Sequence, residues 1–179
     1  WLQSRQPERP LEALLVEPDE RSQMAIECLV QRNGLSNRFQ YISAAVGPKE
    51  QETIAFHSRP FMASSTFREK EDEDSPTRKR ILREEEILDW CSPPFDLVKV
   101  DIEGSEWSLL RDYEGILRNT KRLLLEWHSW HEGGGGLPQI KERLNELGFR
   151  IEKESTPQPA TGREGEVGLL AAVMENEAT

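Results

Sequence analysis

Short runs of hydrophobic residues alternate with amphipathic segments along the chain. A strand that is covered on both faces is apolar at nearly every position, whereas a helix on a sheet is apolar at every third or fourth position. The alternation therefore predicts an α/β fold with a mainly parallel sheet. The predicted strands are residues 11–17, 39–46, 53–56, 95–102, 122–127, 149–153 and 167–174, and the last two are expected to form an antiparallel hairpin.

Helices are predicted between these strands from capping residues as well as from periodicity. Asp19 is a favourable N-cap, and Asn33-Gly34 supplies the left-handed residue that often ends a helix. Pro138 suits the first turn of a later helix, which Gly148 should stop. Two further helices are predicted over residues 81–90 and 107–117.

Residues 60–80 interrupt this alternation. Residues 68–74 (REKEDED) are charged at every position, which predicts a solvated loop or insertion; a lid over a substrate site is the alternative. A length of 179 residues suits one domain, so we expect residues 1–179 to form a single domain with this charged segment inside it.

The charge balance narrows the range of partners. The chain has 23 Lys and Arg against 33 Asp and Glu, a net charge of −10. Nucleic acids and anionic membranes attract clustered Lys and Arg, so neither is expected as the main partner. No run approaches the ~18 apolar residues of a membrane-spanning helix. Cys28 and Cys91 form no CxxC pair, which fits a reducing compartment and a cytoplasmic location.

Acidic side chains stand where three of the predicted strands end, the edge at which such sheets bind ligands. Glu17 could accept hydrogen bonds from the hydroxyls of a ribose, or could cap the following helix. Asp101 and Glu103 are two residues apart at the end of the strand at 95–102. They should therefore share a face and converge on a metal, a cationic group or a hydroxyl proton. Capping of the next helix is the alternative for this pair.

Glu126 and His128 end the strand that begins at Arg122. Imidazole titrates near neutral pH, so His128 could act as a base. The spacing of His128 and His131 is also that of a metal-binding pair, but no third ligand stands at a convincing distance along the chain. A hydrogen-bonded histidine beside a cleft is therefore favoured, and no residue is assigned as a metal ligand.

Five segments in this order resemble the FkbM-type methyltransferases: LLVEPDE (14–20), SAAVG (43–47), LD (88–89), KVDIEGSE (99–106) and LLLEWH (123–128). The resemblance covers most of residues 11–150. It implies a Rossmann-like class I fold, a three-layer sandwich that binds S-adenosylmethionine, and methylation of a hydroxyl on a sugar or small natural product. By position, it implies that Glu17 holds the ribose, that Ser43, Ala44 and Ala45 lie near the adenine, and that Asp101, Glu103, Glu126 and His128 line the methyl-transfer end.

The resemblance leaves several points open. Asp101 and His128 are the leading candidates for the base, and a divalent cation at Asp101 is compatible with the pattern. The family's glycine-rich turn, of the form D-x-G-A-N-x-G, should follow a first strand, but no glycine precedes Glu17. With the family strand order 3-2-1-4-5-7-6, that strand would be central, so we expect the natural protein to extend upstream. The alternatives are a Rossmann-type NAD-dependent oxidoreductase and a non-catalytic, methyltransferase-like binding domain.

Overall fold

The structure is a computed structural model that describes residues 11–58, 76–130, 136–160 and 164–175. Strands and helices alternate along these residues, as the sequence predicts. The strands are β1 (Ala13–Val16), β2 (Phe39–Ile42), β3 (Thr53–Phe56), β4 (Thr77–Arg80), β5 (Val98–Val100), β6 (Arg122–His128), β7 (Phe149–Glu154), β8 (Gln158–Pro159) and β9 (Glu166–Met174). The helices are α1 (Glu20–Arg32), α2 (Glu84–Trp90), α3 (Glu106–Asp112), α4 (Glu114–Arg118) and α5 (Leu137–Glu146).

The chain divides into two compact units, Trp1–Ala45 and Val46–Thr179. In the first unit, β1 and β2 pair in parallel and are connected by α1. Asp19 caps α1, where its carboxylate accepts a hydrogen bond from the N–H of Arg21 at 3.0 Å. The chain leaves the helix through Gly34, which has a φ of 65°. Both predicted ends of this helix are therefore confirmed.

The second unit is built on a mixed sheet in the order β5-β6-β9-β7, with β8 paired to β9. β5 and β6 are parallel, whereas β9 is antiparallel to both β6 and β7. This order corresponds to strands 4-5-7-6 of the sheet that the family resemblance implies. β3 and β4 form a separate antiparallel pair. The predicted α/β class and the antiparallel C-terminal strands are confirmed, and the sheet in the described residues is mixed rather than mainly parallel.

The hydrophobic core of this unit lies between the sheet and helices α3, α4 and α5. Leu123, Leu125 and Trp127 of β6 are buried and contribute alternate side chains to it, as expected for a strand with one apolar face. On β9, a Cβ atom built at Gly168 would come within 2.7 Å of Nε1 of Trp127. This close approach leaves no room for a larger residue under the indole.

Three local predictions differ from the structure. Residues 60–75 of the predicted charged loop lie outside the described residues, but Thr77–Arg80 forms β4. The polar sequence of β4 carries no apolar signal, and pairing with β3 orders it. The strand predicted at 95–102 is ordered as a strand only over Val98–Val100. The helix predicted at 107–117 is divided at Tyr113, whose φ and ψ are −118° and 45°. In the described parts of the chain, no helix is long and apolar enough to span a lipid bilayer.

Tyr113 connects the division between α3 and α4 to the rest of the core. Its side chain is 2% exposed, and its single hydroxyl proton is shared between the carbonyl oxygens of Leu82 at 2.7 Å and Gly47 at 3.3 Å. Burial raises the pKa of Tyr113 to about 12, so the hydroxyl keeps its proton throughout the physiological range.

We predict that Tyr113→Phe destabilises the protein by about 1–3 kcal/mol, because two buried carbonyl groups lose their donor. The matched control is Tyr41→Phe, which removes a hydrogen bond from a half-buried hydroxyl to the carbonyl of Glu17, where water can replace the donor. Urea unfolding followed by circular dichroism measures both losses. A loss for Tyr113→Phe no larger than that for Tyr41→Phe would contradict the prediction.

Candidate functional site

Three predicted site residues meet at the carboxyl ends of β5 and β6. Asp101 follows the last residue of β5, and Glu126 and His128 are among the last three residues of β6. Because the two strands are parallel neighbours, their carboxyl ends lie at the same edge of the sheet. One carboxylate oxygen each of Asp101 and Glu126 and one ring nitrogen of His128 all lie within 4.8 Å of one another.

Glu103 reaches the same place by a different route from the one predicted. The strand ends at Val100, so the rule that side chains two apart share a face does not apply to Asp101 and Glu103. Instead, the backbone turns through left-handed conformations at Glu103, with a φ of 50°, and at Gly104, with a φ of 108°. The turn brings Oε2 of Glu103 to 3.8 Å from Nε2 of His128.

His128 is held by Glu106, a residue to which the sequence analysis gives no role. Oε1 of Glu106 lies 2.8 Å from Nδ1 of His128 and also accepts the N–H of Gly104 at 3.0 Å. Glu106 is 0% exposed and His128 is 2% exposed. An acidic residue in the first turn of a helix is common for reasons of the helix dipole alone. Glu106 is the last residue of the KVDIEGSE segment that carries the family resemblance, but the segment does not indicate that this carboxylate turns inward to the imidazole.

The charges of the site perturb one another. The pKa of Glu126 is raised, first by burial and then by the negative charge of Asp101. Burial alone would lower the pKa of His128, but its hydrogen bond to Glu106 and the neighbouring negative charges outweigh burial and raise it. Nζ of Lys99 lies 3.2 Å from Oδ2 of Asp101. The site is thus an anionic group of side chains with one lysine at its exposed rim.

An aromatic ring covers part of His128. The ring centroids of Trp130 and His128 are 4.6 Å apart and the planes are tilted by 45°. His131, the second member of the His-x-x-His spacing, lies outside the described residues.

The predicted cofactor residues belong to the first unit. Glu17 follows β1 and is half-buried, with Oε1 accepting the N–H of Asp19 at 2.7 Å. Glu17 therefore helps to order the start of the next helix, which is the alternative role predicted for it. Burial raises the pKa of Tyr41, a hydrogen bond to Ser43 opposes this rise, and the charge of Glu17 adds to it. Glu17 and Ser43 thus lie around the same tyrosine at the carboxyl ends of β1 and β2.

Ala44 and Ala45 continue the chain beyond β2. Their exposed fractions are 0% and 1%. The convergence of Glu17, Ser43 and these two alanines with Asp101 on one cofactor stays a prediction.

Comparison with known families identifies the class of protein. The sequence matches the family described as the methyltransferase FkbM domain over residues 9–151. The chain therefore belongs to this family of S-adenosylmethionine-dependent methyltransferases, which confirms the resemblance. A comparison with curated proteins finds no match.

Two solved structures are similar to the chain. One is Sp1610 of Streptococcus pneumoniae, a candidate tRNA (m1A22) methyltransferase, with 16% identity, a TM-score of 0.46, and coverage of 99% of this chain and 62% of that one. The other is the methyltransferase domain of METTL16, with 15% identity, a TM-score of 0.43, and coverage of 91% of this chain and 50% of that one. The chain thus spans less than two thirds of either structure.

We predict that His128 titrates above the ordinary imidazole pKa of about 6.5 in metal-free buffer, because Glu106 stabilises its protonated form. A raised pKa in the folded state means that the pair stabilises the protein fully below the unfolded pKa of about 6.5. This stabilisation is lost as the pH rises through the folded pKa.

An NMR titration of the three histidines measures this value, with the His128 signal assigned by its loss in His128→Gln. Glu106→Gln should lower the pKa, whereas Asp96→Asn, at an exposed carboxylate paired with Lys121, should not. A His128 pKa at or below the ordinary value would contradict the prediction.

Proposed function

We propose that the protein transfers a methyl group from S-adenosylmethionine to a hydroxyl oxygen of a sugar or small natural product. The observation that carries this proposal is the convergence of Asp101, Glu126 and His128 at the carboxyl edge of the sheet in a member of the FkbM family. When bound, S-adenosylmethionine supplies an electrophilic methyl carbon on a sulfonium. Transfer of this methyl group to an acceptor oxygen would require removal of the hydroxyl proton, which side chains of the site would accept.

The side chains of the site suit removal of that proton. A carboxylate or an imidazole within hydrogen-bond reach of the hydroxyl can accept it, and such proton transfer contributes about 10²–10⁴-fold to a rate. Asp101 is exposed, so an acceptor that enters from solvent can reach its carboxylate, and a ring nitrogen of the buried His128 lies within 4.8 Å of that carboxylate. Alignment of the acceptor oxygen with the methyl carbon supplies the rest of the acceleration.

Glu17 and Ser43 suit the ribose and adenine end of the cofactor. Acidic residues that follow a strand in dinucleotide-binding folds accept hydrogen bonds from ribose hydroxyls. Glu17 has this position, and its bond to the N–H of Asp19 fixes the carboxylate before a ligand arrives. Ala44 and Ala45 are small, but their exposed fractions of 0% and 1% mean that the adenine would lie near this segment rather than against these two side chains.

A divalent cation is part of the proposal. Ligand atoms about 2.1 Å from one cation lie at most about 4.2 Å apart, so these three atoms, all within 4.8 Å of one another, would draw closer together on binding. The set of two carboxylates and one imidazole suits Mn²⁺ and related divalent ions. Oδ2 of Asp101 contacts Lys99, so the ion would bind its other oxygen or displace the lysine.

The acceptor is proposed from charge and from the family resemblance. A net charge of −10 disfavours a polyanionic acceptor such as RNA, because binding would bring like charges together. A neutral hydroxylated compound carries no such penalty. We also propose that the protein is cytoplasmic.

We predict that the full-length protein binds S-adenosylmethionine and not NAD, as measured by calorimetry. It should form S-adenosylhomocysteine with hydroxylated acceptors such as sugars and not with tRNA. Binding of NAD alone would overturn the proposal, and formation of product only with tRNA would overturn the choice of acceptor. Binding of S-adenosylmethionine without product on any acceptor would favour the non-catalytic alternative.

We also predict that Asp101→Asn lowers turnover by at least about 10²-fold while the fold and the affinity for S-adenosylmethionine remain. The matched control is Asp96→Asn, since Asp96 is an exposed carboxylate paired with Lys121. Unchanged turnover in Asp101→Asn would remove this residue from the mechanism.

The same pair of variants tests the cation. Mn²⁺ binding, measured by electron paramagnetic resonance of the free ion, should be lost in Asp101→Asn and kept in Asp96→Asn. Equal binding by the two variants would exclude Asp101 as a ligand.

A further inference from the structure

We propose that Glu106 is a positioning residue that fixes the tautomer of His128, with the proton on Nδ1, so that Nε2 presents its lone pair to the site. Neither the family assignment nor the sequence pattern gives Glu106 this role. The catalytic consequence of this proposal rests on the proposed function. The tautomer of His128 can be tested without substrate or cofactor.

The direction of the hydrogen bond follows from the second contact of Glu106. Its Oε1 atom accepts the N–H of Gly104 at 3.0 Å, so this oxygen already acts as an acceptor. The same oxygen lies 2.8 Å from Nδ1 of His128. A carboxylate oxygen that accepts one hydrogen bond has a second lone pair, and the partner that suits it is a nitrogen that carries a proton. Nδ1 of His128 is therefore the protonated nitrogen.

Burial denies Glu106 and His128 other hydrogen-bond partners from solvent. Glu106 is 0% exposed and His128 is 2% exposed, so water has little access with which to offer either group another partner. Within the described residues, Oε2 of Glu106 is buried and has no hydrogen-bond partner. A buried carboxylate oxygen without a hydrogen-bond partner costs free energy of folding. The side chain of Glu106 therefore depends on its bonds to Gly104 and His128 to stay in place. Gly104 is also part of the left-handed turn that follows β5.

The consequence lies at the other ring nitrogen. Nε2 of His128 is on the side of Glu103, whose Oε2 is 3.8 Å away. With the proton held on Nδ1, Nε2 of the neutral ring can accept a proton from an acceptor hydroxyl or bind a metal ion. Outer carboxylates orient histidines in this way at metal sites, where their removal lowers affinity or activity by about 10–100-fold.

The test is the tautomer of His128, read from long-range ¹⁵N–¹H correlation spectra above the pKa of the ring. The chain has three histidines, and His128→Gln identifies the relevant signals. The wild-type protein should show the Nδ1–H form. Glu106→Ala should shift His128 towards the Nε2–H form that a free histidine side chain prefers. Glu106→Gln should restore Nδ1–H, because its amide oxygen can accept the same two bonds. Glu103→Gln is the matched control and should leave the tautomer unchanged.

Two results would overturn the proposal: an Nε2–H form in the wild-type protein, or an unchanged tautomer in a folded Glu106→Ala variant. The tautomer measured in the wild-type protein tests the proposal even if Glu106→Ala fails to fold. Mn²⁺ affinity of the full chain should fall about 10–100-fold in Glu106→Ala and recover in Glu106→Gln. A failure to bind S-adenosylmethionine would overturn the proposed function and leave the tautomer result standing, so the two failures are distinguishable.

Discussion

The pairing of β6 with β9 is the constraint on which the second unit depends. Seven residue pairs join the two strands, from Arg122 with Val173 to His128 with Val167. The pairing holds Trp127 against Gly168, where even one added carbon would come within 2.7 Å of the indole. With Trp127 committed to the core face, alternation along the strand turns Glu126 and His128 to the other face. Core packing thus determines which side chains form the site.

The same arrangement explains how several carboxylates can share a small volume. Asp101 is exposed and paired with Lys99, so water and an ammonium group compensate its charge. Glu106 has no such access to solvent, and its compensation comes from the N–H of Gly104 and from His128. An uncompensated buried charge costs several kcal/mol, whereas an exposed one costs little. Asp101 is therefore the carboxylate that can exchange partners, and Glu106 the one that cannot.

The sequence predicted the features that depend on local chemistry. Apolar runs located β6 and β9, Asp19 and Gly34 located the ends of α1, and the strand ends located Asp101 and His128. It did not predict features that depend on tertiary contacts. β4 is polar and owes its order to pairing with β3, and Glu106 differs from an ordinary first-turn acid only in the ring that it meets. Glu103 was predicted at the site for the wrong reason, since a left-handed turn and not strand alternation brings it there.

The geometry also limits what His128 can do at any one time. A neutral imidazole with its proton on Nδ1 has one lone pair, on Nε2, and that pair can bind a cation or accept a proton but not both. If a cation is bound by Asp101, Glu126 and His128, the acceptor's proton must go to a group outside this set, such as Glu103, whose Oε2 lies 3.8 Å from Nε2 of His128. If no cation is bound, Nε2 is the stronger base. The metal dependence of methyl transfer therefore decides between two mechanisms that use the same side chains.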